Sequence, residues 1–223
     1  MKTAIIGQGK TGREVLQFLE SSCVEVLDSH EPILINKLRE FDVIIVLIPG
    51  LKFLELLPTL LNSRVPVVAG LTEVTLPSYM EVALAEAKTR WVIASSFSLG
   101  MIVMHEAIRA LKHADRLFDS VNFQIREIHD TSKHDTPTTT ALNWKSWLNK
   151  PCEISSEREN GEVGTHQLVI KTPDEEILLS HKALNRKIFA RGAVWAAHRL
   201  VEDKNLPYGL IRFEDLTRNL IDS

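Results

Sequence analysis

The sequence predicts an α/β fold: a doubly wound parallel sheet followed by a second, α+β domain built on a mixed or antiparallel sheet. Three observations carry this expectation. Short apolar runs alternate with helix-like segments through residue 97. A glycine cluster separates the first run from the first helical segment. Beyond residue 97 the apolar residues instead recur with period two, as in strands with one exposed face.

KTAII, at 2–6, is a strand, and REVLQFLE, at 13–20, places apolar residues at helical spacing. CVEVL, at 23–27, is β-branched and ends at Asp28, about 20 residues past the first glycines, where a βαβ unit places its second strand. A short helix over 32–40 precedes DVIIVLIPG, an unbroken apolar run that suits a strand buried on both faces. Helix over 52–62, strand in VPVVAGLT, helix over 77–88 and strand in WVIAS complete the sheet. A helix over 98–111 follows, then the alternating strand SVNFQIREIHD and a helix over 138–148. EISSERE, THQLVIKT and EILLSHKAL read as strands, punctuated by Asn160-Gly161 and Thr172-Pro173-Asp174. The last helix, 189–201, is placed back on the first domain, and a polar tail containing EDLTRNLI ends the chain. The expected domains are 1–98 with about 190–223, binding dinucleotide, and 99–189, binding substrate and mediating oligomerisation.

With 223 residues, a formal net charge of −3 and 25% charged residues, the chain has no basic field, so nucleic acid is not an implied partner. Cys23 and Cys152 are far apart, lack metal-ligand spacing and read as buried free thiols, which favours a reducing, cytoplasmic compartment. The opening MKTAIIGQGKTG is too short and too polar for a signal-peptide core or a membrane span. No metal is expected: His105, His113, His166, His181 and His198 have no carboxylate or histidine at ligand spacing and read as structural or exposed. Trp144, Trp147 and Trp195 recur among apolar residues at helical spacing, as core or subunit interface.

Gly7-Gln8-Gly9-Lys10-Thr11-Gly12 matches G-x-G-x-x-G between strand and helix, where backbone amides can approach a pyrophosphate, the hallmark of a Rossmann-type fold. Asp28 would accept hydrogen bonds from adenosine ribose hydroxyls and repel a 2′-phosphate, favouring NADH over NADPH; Lys10 or Lys37 would soften that preference. Its other reading is a plain turn residue. His30 would edge that ribose pocket, and Gly70-Leu71-Thr72 and Ala94-Ser95-Ser96-Phe97 follow parallel strands on the ligand-binding edge, although any βα turn uses such small residues. In EIHDTSKHDTPTTTA, at 127–141, His129 closes a strand, Lys133 follows four positions later, and residues 137–140 open a helix. A proton carrier, a cation and a helix N-terminus within fifteen residues suit a small carboxylated substrate, though loop histidines and lysines are more often surface groups.

This stretch resembles the substrate loop of the dihydrodipicolinate reductase family, roughly E-x-H-H-x-x-K-x-D-A-P-S-G-T-A. GQGKTG, GLT, ASSFSLG and SHKALNRKIFARGAVWAA resemble further motifs of that family, in the same order along essentially the whole chain. The resemblance implies reduction of a cyclic imine dicarboxylate by NADH or NADPH in lysine and diaminopimelate biosynthesis, by a tetramer joined through the second-domain sheet. It implies His129 as general acid/base, Lys133 as the group on the ring nitrogen, and Thr138, Thr139 and Thr140 at a substrate carboxylate. Asp130 stands where the family has a second, substrate-facing histidine, and Thr139 where it has glycine. An aspartate about 4 Å from a substrate carboxylate would cost roughly 4 kcal/mol at an effective dielectric near 20. Leu71 and Ser96 also depart from the pattern. Two alternatives remain at this point: a paralogue that binds dinucleotide as a non-catalytic sensor, and a reductase of a different imine or keto acid.

Overall fold

The computed structural model describes residues 1–28, 30–71 and 74–217. The chain forms two compact units, one comprising Met1–Ser98 with the chain from Lys187 onward, the other Leu99–Arg186.

The first unit is built on β1 (Thr3–Ile6), β2 (Val24–Leu27), β3 (Val43–Val46), β4 (Val67–Gly70), β5 (Arg90–Ala94) and β10 (Gly209–Arg212). Their order is β10-β5-β4-β3-β1-β2, with every pair parallel. Parallel strands covered on both faces need apolar side chains at every position, and β1 and β3 are buried throughout. The helices are α1 (Lys10–Val15), α2 (Ile35–Leu38), α3 (Gly50–Ser63), α4 (Met80–Glu86) and α7 (Lys187–Glu202). Three of them are shorter than the sequence pattern suggests. In particular, α1 tightens into a 3-10 turn over Leu16–Phe18, and the 32–40 segment keeps only one turn of helix.

Helix α7 packs on α1 and on the sheet, and its Ala190, Ala193 and Ala197 are fully buried. Gly192 lies so close to Phe97 that a Cβ there would overlap the Phe97 carbonyl oxygen. The sixth strand, β10, falls in what the sequence pattern leaves as a polar tail. It pairs with β5, and Arg90 ties down the approach to it by donating to the carbonyls of Leu206 (2.8 Å) and Lys204 (3.0 Å).

The second unit comprises α5 (Leu99–Leu111), β6 (Asn122–His129), α6 (Thr139–Leu148), β7 (Cys152–Arg158), β8 (Thr165–Lys171) and β9 (Glu176–Lys182). Its sheet, ordered β7-β6-β8-β9, is mixed: β6 and β7 run parallel, joined through α6, while β6–β8 and β8–β9 are antiparallel. Helices α5 and α6 cover one face, where Phe123, Ile125, Leu168 and Ile170 meet Trp144 and Leu148. Trp144 is fully buried and its indole N–H points to Met101 Sδ at 3.5 Å. Trp147 and Trp195 are half-buried, edge-on to His105 and Phe213. Cys23 and Cys152 are free but only half-buried, a correction to the buried thiols expected from their apolar neighbours. No helix among the described residues is long and apolar enough to cross a membrane.

Candidate active site

The glycine turn occupies the point where the strand order reverses: β2 lies on one side of β1, β3 on the other. Gly7 has φ +109°, and a Cβ on it would overlap the Leu47 carbonyl that follows β3. A Cβ on Gly12 would overlap the carbonyl oxygen of Gly7, so the turn closes only with glycine at both positions. Gly9 differs: it is extended, and nothing lies within 4 Å of where its Cβ would be. Open space beside a backbone turn at a parallel sheet's carboxyl edge fits the demand of a pyrophosphate. Gln8, Lys10 and Thr11 flank that space, exposed or half-exposed, and Arg13 donates back to the Gln8 carbonyl at 3.1 Å.

Asp28, exposed at the carboxyl end of β2, accepts the His30 amide on Oδ1 at 2.8 Å. It thus makes the turn its position demands while its other oxygen stays outside that bond. Of the nicotinamide-side candidates, Ala94, Ser95 and Ser96 are partly open, but Leu71 and Phe97 are 4% and 3% exposed. Leu71 packs in the main core and Phe97 stacks edge-on with Phe213 at 5.1 Å, so neither side chain offers a ligand surface. Gly70 lets Leu47 and Phe97 close in; a Cβ there would stand 2.7 Å from Leu47 Cδ2. Thr72 lies outside the described residues.

In the second unit, Phe123, Ile125, Glu127 and His129 share the inward face of β6. The first two meet the helices as apolar residues should; the last two form a polar cluster with His166, which β8 presents opposite Glu127. Glu127 is fully buried and accepts three hydrogen bonds: on Oε1 from the Thr138 amide (3.0 Å) and the Ser156 hydroxyl (2.6 Å), on Oε2 from the Thr138 hydroxyl. Burial alone would raise this carboxyl, but the hydrogen bonds from His129, Ser156 and Thr138 outweigh it and hold it down to about 2. Nε2 of His129 lies 3.2 Å from Nε2 of His166, and the two nitrogens are 3.6 and 3.7 Å from Glu127 Oε2. Burial, and then the neighbouring His129, push His166 down to about 3, so it is neutral at physiological pH. Gly164 gives the His129 ring its room: a Cβ there would sit 2.9 Å from Cε1.

Glu127, His129 and His166 offer three ligand atoms within 4.8 Å of one another, a grouping the sequence spacing does not reveal. Glu127 is already engaged by Thr138 and Ser156, and neither histidine has a hydrogen-bond partner on Nδ1, where metal-bound imidazoles are ordinarily anchored. The geometry is that of a hydrogen-bonded cluster.

Lys133 projects from the loop after β6, 35% exposed in its side chain, and pairs with Asp135 at 2.7 Å. Arg158, at the end of β7, holds this loop from beneath, donating to the carbonyls of Lys133 (3.0 Å) and Asp135 (2.7 Å) and to the Thr136 hydroxyl (2.7 Å). Asp130 turns its carboxylate into the loop. Oδ1 accepts from the Ser132 amide (3.0 Å) and hydroxyl (2.5 Å), Oδ2 from the Gly161 amide (2.7 Å). Thr138 is the N-cap of α6, accepting the Ala141 amide at 3.4 Å, and is 2% exposed. Its amide and hydroxyl face Glu127 and not the surface. Thr139 and Thr140, the first helical residues, are partly open, with the orphan amides of a helix start.

A family model described as the C-terminus of dihydrodipicolinate reductase matches residues 100–216, more than half of the chain. A 4-hydroxy-tetrahydrodipicolinate reductase of Thermosipho africanus is 29% identical over 227 residues, covering 98% of each chain. Its counterpart from Bdellovibrio bacteriovorus is 32% identical over 160 residues, 70% of this chain and 67% of that one. Among solved structures, a dipicolinate-bound dihydrodipicolinate reductase from Paenisporosarcina sp. TG-14 shares the fold with a TM-score of 0.71 at 19% identity, covering 94% and 96% of the two chains. An engineered D-amino acid dehydrogenase bound to NADP+ is more distant, with a TM-score of 0.57 at 9% identity, covering 96% and 93%. The chain belongs to the dihydrodipicolinate reductase family.

Proposed function

We propose that the protein reduces 4-hydroxy-tetrahydrodipicolinate with NADH or NADPH, in lysine and diaminopimelate biosynthesis, as its named relatives do. The observation that carries this is the convergence of Lys133, His129 and the start of α6 within one loop-and-strand end, backed by a buried carboxylate. The glycine turn and the space beside Gly9 fit the dinucleotide pyrophosphate, Asp28 the adenosine ribose, and the backbone of Gly70 to Leu71 and Ala94 to Ser96 the nicotinamide end. A carboxylate at Asp28 favours NADH. The bound nicotinamide supplies a hydride.

The chain's own residues then manage charge and protons. Hydride arrival at a carbon conjugated with an imine builds negative charge on nitrogen, and the Lys133 ammonium stabilises and protonates it. His129 serves as the proton relay. The open amides of Thr139 and Thr140 seat a substrate carboxylate, while Thr138 holds Glu127 from the buried side. Asp130 acts as the loop's internal tie, which removes the repulsion its charge would otherwise impose on a dicarboxylate.

Oxidation of reduced cofactor, followed by absorbance with freshly generated 4-hydroxy-tetrahydrodipicolinate, tests the assignment. Turnover lost in Lys133→Ala with cofactor binding intact supports it. Tight cofactor binding without turnover in the unaltered protein sinks it, leaving the sensor reading.

A further inference from the structure

We propose that His166 is the positioning residue of the active site: it and His129 share a single hydrogen between their Nε2 atoms and carry at most one extra proton between them. This rests on His129 being the proton carrier and names the residue through which it is oriented and recharged.

The geometry leaves little alternative. Two imidazole nitrogens 3.2 Å apart inside a dry site cannot both bear hydrogen, nor can both lack it without losing the contact. One ring is therefore the Nε2–H tautomer and the other the Nδ1–H tautomer. Both residues are 6% exposed or less, so water does not substitute for the missing partner. The groups facing His166 are the Glu127 carboxylate and His129 from β6, His181 from β9 and Lys133 from the loop, with uncharged Thr138 and Trp144 from α6. Glu127 is the only anion among these. It lies almost equidistant from the two Nε2 atoms, while burial keeps His166 the neutral member of the pair. A second charge is opposed by its twin and by Lys133. Delivery of a proton from His129 therefore leaves the two rings neutral and still joined by one hydrogen bond between their Nε2 atoms.

Three variants and one spectrum test this. His166→Phe keeps the ring against Trp144 but removes both nitrogens; His166→Gln keeps a group able to accept or donate at Nε2. We expect His166→Phe to lower kcat at least tenfold with KM within about twofold, and to move the alkaline fall of kcat down by about one pH unit. His166→Gln should recover most of both. Wild-type rate and profile in His166→Phe overturn the inference, as does equal loss in the two variants, which would mean a packing role. His129→Ala separates the two levels: loss there with none in His166→Phe removes only the inference, whereas wild-type rate in His129→Ala removes the relay on which it rests. Without reference to activity, long-range 1H–15N spectra at pH 7.5 should show complementary tautomers for the two rings. Identical tautomers, or one tightly held Zn2+ per chain that His166→Gln abolishes, would overturn it.

Discussion

A neutral histidine buried beside a carboxylate makes the second unit acid-sensitive in a definite window, and His166→Gln isolates the effect. His166 is held at about 3 in the folded chain against 6.5 when exposed. On lowering pH through 6.5, the unfolded chain takes up a proton that the folded chain refuses, so stability falls until the folded group also titrates. Between pH 6.5, where the unfolded group is already half protonated, and pH 4.5 this one group accounts for about 2 kcal/mol, at 1.36 kcal/mol per unit. Glu127 acts lower. Its folded value of about 2 gives stability that is complete above 4.5 and lost as pH falls through 2, so it contributes little inside the chosen window. Urea unfolding would be followed at pH 6.5 and 4.5 by fluorescence, to which the fully buried Trp144 contributes. The native chain should lose about 2 kcal/mol more than His166→Gln across that interval, since glutamine does not titrate. Equal losses would refute the neutral, buried assignment of His166.

Other perturbations separate fold from chemistry. Gly9→Ala should leave thermal stability unchanged, because its Cβ meets nothing, yet weaken NADH binding at least tenfold by calorimetry if the space beside it holds a pyrophosphate. Gly192→Ala should do the opposite: its methyl must displace the Phe97 backbone, for a loss of about 3 kcal/mol in denaturant unfolding and little soluble protein. Glu127→Gln retains acceptors for Thr138 and Ser156 but removes the charge 3.6 Å from His129, worth roughly 4 to 5 kcal/mol at an effective dielectric of 20; kcat at pH 7.5 should fall more than tenfold with the fold intact by circular dichroism. Arg158→Ala frees two loop carbonyls and should raise KM more than it lowers kcat, in steady-state assays.

The first unit was legible because its signals are local. Unbroken runs such as VIIV suit parallel strands, and glycine spacing reports a turn that the backbone of Leu47 and Gly7 makes compulsory. Strand β10 was not, since GLIR is four residues long and its place depends on Arg90, over a hundred positions away in sequence. In the site, His129 and Lys133 were visible as a spacing, but His166 lacks ligand spacing and Glu127 has no motif to single it out. A signal did exist. In NFQIREIH, the parity that puts Phe123 and Ile125 inward puts Glu127 and His129 inward too, and in THQLVIK the same parity aligns His166 with Leu168 and Ile170. An ionisable group on the apolar parity of a strand must find a partner or pay several kcal/mol, so two such strands in one domain point to a buried polar cluster. Which residues pair still needed the register, which only the fold supplies.

That cluster also bears on the two departures from the family pattern at Asp130 and Thr139. The substrate loop has two faces, and the substitutions fall differently on them. Asp130 ties its own loop, through Ser132, to the β7–β8 connection, through Gly161; a histidine there could not accept the Gly161 amide and the two Ser132 hydrogens at once. Asp130 thus fixes the loop, and Arg158 reinforces the same loop through Lys133, Asp135 and Thr136. Thr139 stands in the first turn of α6, with its amide still available and only its side chain added. On the proposed roles, Asp130 would stiffen the loop that carries Lys133 and Thr139 would narrow the carboxylate seat, while Glu127, His129 and His166 stay buried. Specificity has more room to shift than proton chemistry does, and Thr139→Gly is the change that should widen substrate acceptance without moving the pH profile, as read from kcat/KM for dicarboxylates of differing bulk.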